Sequence, residues 1–256
     1  MSIFGSLAYG LANLFHPRML WLMLWPMLIA LIVWGAVALA LWTRTALWLA
    51  DLITRYTANA AAYINLDIGN IALVAANVLL ILLFIPLVYL TALFILGIFG
   101  MNAMVDYVAS RSYPAIERRR GGGVAGSAVN AAGAFLGMLA LFVVSIPLWV
   151  VPPLWPVIPV LVLAWVNQRL LRYDALAEHA DKEEMRTLFG ERRGTLYILG
   201  LVMALAAFVP LVGFAAPVVF GLAYIHYLLG ALQAKRQAEP LQPAQLPPDS
   251  PTLSSP

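Results

Sequence analysis

Hydrophobic and polar positions fall along this chain in long blocks, not in short alternations. Four runs contain no Lys, Arg, Asp or Glu: residues 19–43, 68–105, 121–168 and 194–234. Each of the first two is long enough to cross a hydrocarbon core of about 30 Å, so the pattern predicts one transmembrane helix in each. Pro17 fits the first turn of the first helix, where its missing N–H costs nothing. Pro26 and Pro86 lie inside the two helices, and Pro26 predicts a kink.

The last two runs share a design. Residues 125–146 lead to Pro147, and Pro152, Pro153, Pro156 and Pro159 follow before residues 161–168. Residues 195–209 lead to Pro210 and Pro217, then to residues 218–234. Ile146-Pro147-Leu148 and Val209-Pro210-Leu211 form a weak internal echo, with Ile85-Pro86-Leu87 as a third copy. A helix over residues 195–209 rises only about 22 Å, which falls short of the hydrocarbon core. It reads as one arm of a helical hairpin whose tip, Pro210 to Pro217, is buried partway across. Non-helical backbone at that depth needs protein or water around it. The first hairpin has a longer arm, and a full crossing stays open for it. The expected fold is therefore all-α and membrane-embedded: two long transmembrane helices plus two Pro-tipped hairpins that penetrate partially.

Between the two hairpins lie residues 169–193, which hold twelve of the twenty-seven charged residues of the chain. Such a segment belongs in water or at a membrane surface, because charge in hydrocarbon is expensive. Asp181 followed by Glu184 is a capping-box pattern and predicts a fresh helix there. Met185, Leu188 and Phe189 give that helix an apolar face, with Lys182, Glu183 and Arg186 toward water. Glu178 is placed to pair with Lys182. Arg44, Asp51 and Arg55 share one helical face, with Asp51 within reach of Arg55. The first long helix should thus continue beyond the membrane before a turn near residues 65–70. Asp106, Arg111, Glu117, Arg118, Arg119 and Arg120 mark the second helix emerging into water. At the N-terminus, Ile3, Phe4, Leu7, Leu11, Leu14 and Phe15 recur on one face, which predicts an amphipathic interfacial helix. Residues 237–256, with six prolines, read as a disordered tail after a membrane domain spanning residues 1–236.

Composition fits this class. The chain is 63% hydrophobic and 11% charged with mean hydropathy +0.88, where a soluble domain has about a quarter of its residues charged. No Cys is present, which excludes disulfides and thiolate metal sites. The basic residues are dispersed along membrane boundaries, so no nucleic-acid partner is expected, and neither a cofactor nor a metal site is indicated. Two of the fifteen Lys and Arg lie in residues 44–67. The positive-inside rule then puts both termini and the charged connector in the cytoplasm.

Candidate chemistry is sparse. Gly121 to Gly126, GGGVAG, matches the dinucleotide fingerprint in letters only, since an arginine run precedes it where a strand is required. Gly126, Asn130, Gly133 and Gly137 instead form a small-residue face that lets another helix approach, with Gly122 outside that face. Asn130 is alternatively a polar lining. His226 is an intramembrane ionisable group and a functional candidate on that ground; flanking Tyr224 and Tyr227 favour a neutral imidazole in an interfacial belt. No nucleophile elbow, no H-E-x-x-H and no carboxylate inside a lipid-buried run is present, so an enzyme is not indicated.

Tyr173-Asp174, Ala177, His179, Glu184-Met185-Arg186, Arg192-Arg193, Val209-Pro210-Leu211 and Pro217 together resemble the C-terminal signature of the EI24 family, which includes the CysZ-type sulfate transporters. Pro17 and Pro26 resemble its N-terminal part. The likeness covers residues 1–235 in layout and is densest over residues 165–225. It implies the two-helix, two-hairpin fold and transport of a small oxyanion such as sulfate through a bacterial inner membrane. Sulfate-transporting members carry Gly-Leu-Arg after the first proline; here the residues are Arg18-Met19-Leu20. Arg18 and His16, at the start of a helix, become the leading anion-binding candidates, with Asn130 and His226 behind them. Arg172, Asp174, His179, Arg186, Arg192 and Arg193 mark the cytoplasmic connector. A plain positive-inside anchor is the competing role for Arg18. For the whole chain the competing role is a membrane-organising protein whose connector docks a partner. Two spans and two partial hairpins enclose little pore, so a homo-oligomer in the bilayer is expected.

Overall fold

The computed structural model describes residues 2–61 and 68–238, and among these every regular element is helical. The helices are α1 (Ile3–Leu14), α2 (Pro17–Ala61), α3 (Ile68–Ser112), α4 (Val124–Ser145), α5 (Val157–Leu176), α6 (Lys182–Glu191), α7 (Arg193–Ala206) and α8 (Pro210–Ala238). Two short 3-10 turns, Ile146–Val150 and Pro152–Leu154, join α4 to α5. Pro17 opens α2 as expected, and α3 begins where the second charge-free run begins. The expected turn before Ile68 falls partly outside the described residues, as does the tail from residue 239 onward.

Five helical stretches are long and apolar enough to cross a membrane: Pro17–Thr57, Gly69–Ser112, Ala125–Val150, Pro152–Leu176 and Ala215–Ala238. The chain is a multi-pass membrane protein. With 22 and 20 residues, α4 and α5 rise about 33 and 30 Å, enough for full crossings. The 14-residue α7 rises only about 21 Å.

The chain forms two compact units. One comprises Leu14–Ala103. Here α2 packs along the first part of α3 through small residues, with Ala30 against Val88 and Ala92, and Ala50 against Ala72 and Ala76. Two polar pairs fasten the seam: the indole of Trp34 donates to Thr91 Oγ1 and that of Trp42 to Asn77 Oδ1, both at 2.9 Å. Large apolar side chains such as Ile32, Leu39, Leu82 and Leu90 point outward. Small residues inside and large ones outside is the expected arrangement when lipid replaces water. Asp51 and Arg55 pair at 2.8 Å, as their spacing predicts.

The other unit comprises Met1–Asn13 and Met104–Pro256, and α8 is its core. Leu222, Tyr224, Ile225, Leu228, Leu229 and Leu232 are fully buried. Tyr224 donates from its hydroxyl to Leu196 O of α7, and Tyr227 is buried beside it in sequence. These tyrosines are core residues, which replaces the interfacial belt expected around His226. The second hairpin also differs from expectation. Its bend is the short segment 207–209, Pro210 opens α8, and Pro217 lies inside that helix. A proline at the first helical position starts a helix as readily as it ends one, so Pro210 plays here the part Pro17 plays in α2.

The N-terminal helix faces opposite to a soluble amphipathic helix. Ser6 and Gly10 are its buried residues, and Gly10 leaves no room for a Cβ against the backbone of Val219. Phe4, Leu11 and Phe15 are exposed.

Candidate anion-binding residues and the polar clamp

At the start of α2, His16 takes up the first-turn donors. Its carbonyl accepts from Met19 N at 2.8 Å and Leu20 N at 3.0 Å, and its Nδ1 accepts from Arg18 N at 3.3 Å. Pro17 has no N–H. The backbone donors that usually draw anions to a helix N-terminus are therefore already used. What remains for a ligand is the Arg18 guanidinium, which is exposed and forms no ion pair among the described residues.

Asn130 belongs to the packing face of α4. Its Nδ2 donates to Arg169 O of α5 at 3.1 Å. Along the same face Gly126 lies under the Tyr173 hydroxyl, Gly133 under the Arg169 guanidinium and Gly137 under the Trp165 ring. Each glycine thus receives one large side chain from α5, spaced four residues apart on an antiparallel neighbour. The preceding glycines are also constrained. A Cβ on Gly122 would lie 2.9 Å from Ala177 Cβ, and one on Gly121 would strike the Ala180 carbonyl. Gly122, placed outside the small-residue face, is thus closely packed as well, and Gly123, with nothing nearby, is the open position.

His226 faces two aromatic rings. It stacks on Tyr9 with centroids 4.0 Å apart at 18° and lies 5.5 Å from Tyr113. The Tyr113 hydroxyl donates to the His226 carbonyl at 2.9 Å. The imidazole Nδ1 is buried without a hydrogen-bond partner among the described residues. His226 and Asn130 thus meet different neighbours, while His16 and Arg18 belong to the other unit.

The charged connector divides into three parts. Its first residues, Arg169 to Leu176, continue α5; residues 177–181 form a bend; α6 then starts at the predicted capping box. Asp181 Oδ1 accepts from Glu184 N at 2.8 Å and Glu184 Oε2 accepts from Asp181 N at 2.9 Å. Met185 and Leu188 are buried while Lys182, Glu183 and Arg186 are exposed, as their spacing predicts. Glu178 sits 3.8 Å from Arg118, and this replaces the expected pair with Lys182.

Glu184 carries more than the cap. Its side chain is only 6% exposed and receives Arg236 Nε at 2.8 Å, Arg236 Nη2 at 2.9 Å and Arg119 Nη1 at 3.1 Å. Burial pushes its carboxyl upward, but the hydrogen bonds from Arg236 and Asp181 and the charges of Arg236 and Arg119 outweigh burial and hold it below the usual range. Arg236 also donates to the carbonyls of His179 at 2.7 Å and Glu117 at 3.1 Å. The loop before α4 docks on the same bend through three consecutive donors: Arg120 N to Glu178 O, Gly121 N to Ala180 O and Gly122 N to Ala177 O. Arg120 adopts φ 48° to make that turn, a left-handed conformation uncommon for a residue with a Cβ. His179 is 1% exposed; burial first, and Arg118 next, hold its imidazole below the usual value against Glu178 and Asp106. Glu184, Arg119 and Arg236 thus form a polar clamp that joins the loop before α4, the α5–α6 bend and the end of α8.

The remaining connector candidates lie around the clamp. Asp174 is partly buried on α5, and its Oδ1 has no hydrogen-bond partner among the described residues. Arg172 lies over the Phe189 ring at 4.7 Å, and Arg186, Arg192 and Arg193 are exposed. Arg119, Arg236 and Arg169 escaped the sequence reading as functional residues. Their partners lie far off in sequence, and only the capping-box half of Glu184 had a local signal.

Against known proteins, a family model described as "Sulfate transporter CysZ/Etoposide-induced protein 2.4" matches residues 6–217. No curated protein and no solved structure matches the chain.

Proposed function

Because this chain belongs to the EI24 family, we propose that it is a permease for a small oxyanion of the sulfate type in a bacterial inner membrane. In this reading α2 and α3 are full spans, the α4–α5 and α7–α8 pairs enter the bilayer as hairpins, and both termini face the cytoplasm. Several copies assemble to enclose a path. The family match carries the reading. The first contact is assigned to Arg18: its guanidinium is exposed and forms no ion pair among the described residues, it stands just before a charge-free run, and its planar fork suits a tetrahedral oxyanion. His16, which already holds the first-turn donors, fixes the backbone from which Arg18 projects. The sulfate-transporter Gly-Leu-Arg is Arg18-Met19-Leu20 in this chain, and weak sulfate affinity follows.

Uptake of radiolabelled sulfate into proteoliposomes, beside sulfite, thiosulfate and phosphate, tests the proposal. At least one anion should enter faster than into empty vesicles. Equality with empty vesicles for all four would move the reading to the second one, a membrane-organising member of the family. That alternative draws on the exposed outer face of α6, with Lys182, Glu183 and Arg186 available to a partner.

A further inference from the structure

We propose that Arg169, Arg172 and Arg193 form a second anion site, built for the tetrahedral phosphate or sulfate group of a membrane lipid or a free ion. Arg169 and Arg172 are three residues apart on α5 and so share a face. The packing of α7 on α5 brings Arg193 to them. Gly200 of α7 meets the Ala164 carbonyl and the Gln168 side chain, and from that crossing α7 runs back toward its N-terminus as α5 runs on toward Arg172. Arg169 and Arg193 both lie close enough to Arg172 to repel it.

Three features point to a missing negative charge. Among the described residues none of these arginines forms an ion pair, although Arg118, Arg119 and Arg236 of the same unit pair with carboxylates. Second, two of the three guanidiniums are backed by aromatic rings. Arg169 lies 5.2 Å over the Trp165 ring and Arg172 4.7 Å over Phe189, while Arg169 Nε is buried without a hydrogen-bond partner among the described residues. Third, Arg193 occupies the first position of α7, whose N-cap residue Arg192 supplies no side-chain cap. The positive end of that helix therefore adds to the field of the three side chains. Aromatic backing fixes the planes of two guanidinium forks, whose geometry suits a tetrahedral oxyanion. A phospholipid phosphate suits the position of Arg169 and Arg172 near the end of the apolar stretch Pro152–Leu176, where basic residues meet headgroups. A free oxyanion offers the same chemistry. The site belongs to the other unit from Arg18 and does not rest on the permease reading.

The test uses the full chain, purified and stripped of lipid. Native mass spectrometry measures retention of phosphatidylglycerol against phosphatidylcholine, and equilibrium dialysis measures radiolabelled sulfate and inorganic phosphate in an Arg18→Ala background. Arg172→Gln and Arg193→Gln are compared with Arg55→Gln in the other unit. Preferential phosphatidylglycerol retention, weakened about fivefold by each of the first two changes and unchanged by Arg55→Gln, identifies the lipid headgroup. Sulfate or phosphate binding weakened by those changes without a lipid preference identifies the free ion. Should Arg172→Gln fail to fold, exposed Arg193→Gln decides alone. Lipid and ion binding indifferent to Arg193→Gln would overturn the site.

Discussion

The carboxylate of Glu184 receives two nitrogens of Arg236, Nε at 2.8 Å and Nη2 at 2.9 Å, in a fork that ties the third residue of α6 to the end of α8. The same carboxylate closes the capping box on Asp181 and takes Arg119 from the loop before α4. Four segments that hydrophobicity alone cannot order are thereby fixed at one point. A carboxylate this buried requires its partners, since an uncompensated buried charge is more costly than the pair is favourable.

Removing one partner should therefore cost more than removing both. Arg236→Gln leaves the Glu184 charge half-paired, and about 3 kcal/mol of unfolding free energy should be lost. Glu184→Gln keeps the capping box, since glutamine serves there too, and so isolates the charge. The double change should be less destabilising than the sum of the single ones. Thermal unfolding of the four proteins in one detergent gives the cycle; strict additivity would mean that the fork carries no coupling.

Acid should undo the same contact. Glu184 binds its proton less readily folded than unfolded, so its contribution is complete above the ordinary value of 4.5 and is lost as the pH falls through the depressed folded value. His179, held neutral by burial, adds a loss that sets in as pH falls through 6.5, but this term is common to wild type and Glu184→Gln. The stability difference between those two proteins should be constant from pH 7 to 5 and shrink below about pH 4.5. A difference that grows on acidification would reverse the sign argued here.

The α4–α5 contact predicts a graded set of glycine substitutions. Gly137→Leu and Gly133→Leu place a side chain where Trp165 and Arg169 already lie, and each should cost about 1–3 kcal/mol. A Cβ on Gly123 meets nothing within 4 Å, and Gly123→Leu should be tolerated. Equal melting temperatures for all three would remove the small-residue face from the account.

The bend of the second hairpin gives a topological test. Because α7 is short, the bend should stay within the bilayer in the proposed arrangement. The chain has no native cysteine, so Phe208→Cys, at an exposed bend residue, can be compared with Tyr56→Cys toward the end of α2. A membrane-impermeant maleimide added from outside should label position 208 far more slowly; equal rates would place the bend in water.

Much of this layout was legible because the signals are local. Charge-free runs mark where α2 and α3 begin, Asp181 with Glu184 announces α6, Asp51 reaches Arg55 within one helix, and the glycine spacing on α4 foretells a close neighbour. The central place of α8 was not legible, because an apolar side chain facing lipid and one facing protein have the same sequence signature. Tyr224 and Tyr227 were misplaced for that reason. The clamp stayed hidden because Arg119 and Arg236 lie 65 and 52 residues from Glu184. Gly122 was misjudged because what it meets is the backbone bend after α5, which no spacing rule for α4 contains.

The most direct measurement of the proposed function is the initial rate of sulfate uptake into proteoliposomes holding equal amounts of wild type, Arg18→Lys and Arg18→Ala. Lysine keeps the charge and loses the fork, so uptake should be faster for wild type than for Arg18→Lys and faster for Arg18→Lys than for Arg18→Ala, with about a tenfold loss or more for alanine, the worth of a charge-assisted hydrogen bond. Leu20→Arg, which restores the arginine position of the sulfate-transporting pattern, should raise the rate. Uptake that exceeds empty vesicles but is the same for wild type and Arg18→Ala would contradict the role of Arg18; no uptake by any of them would contradict sulfate as the substrate.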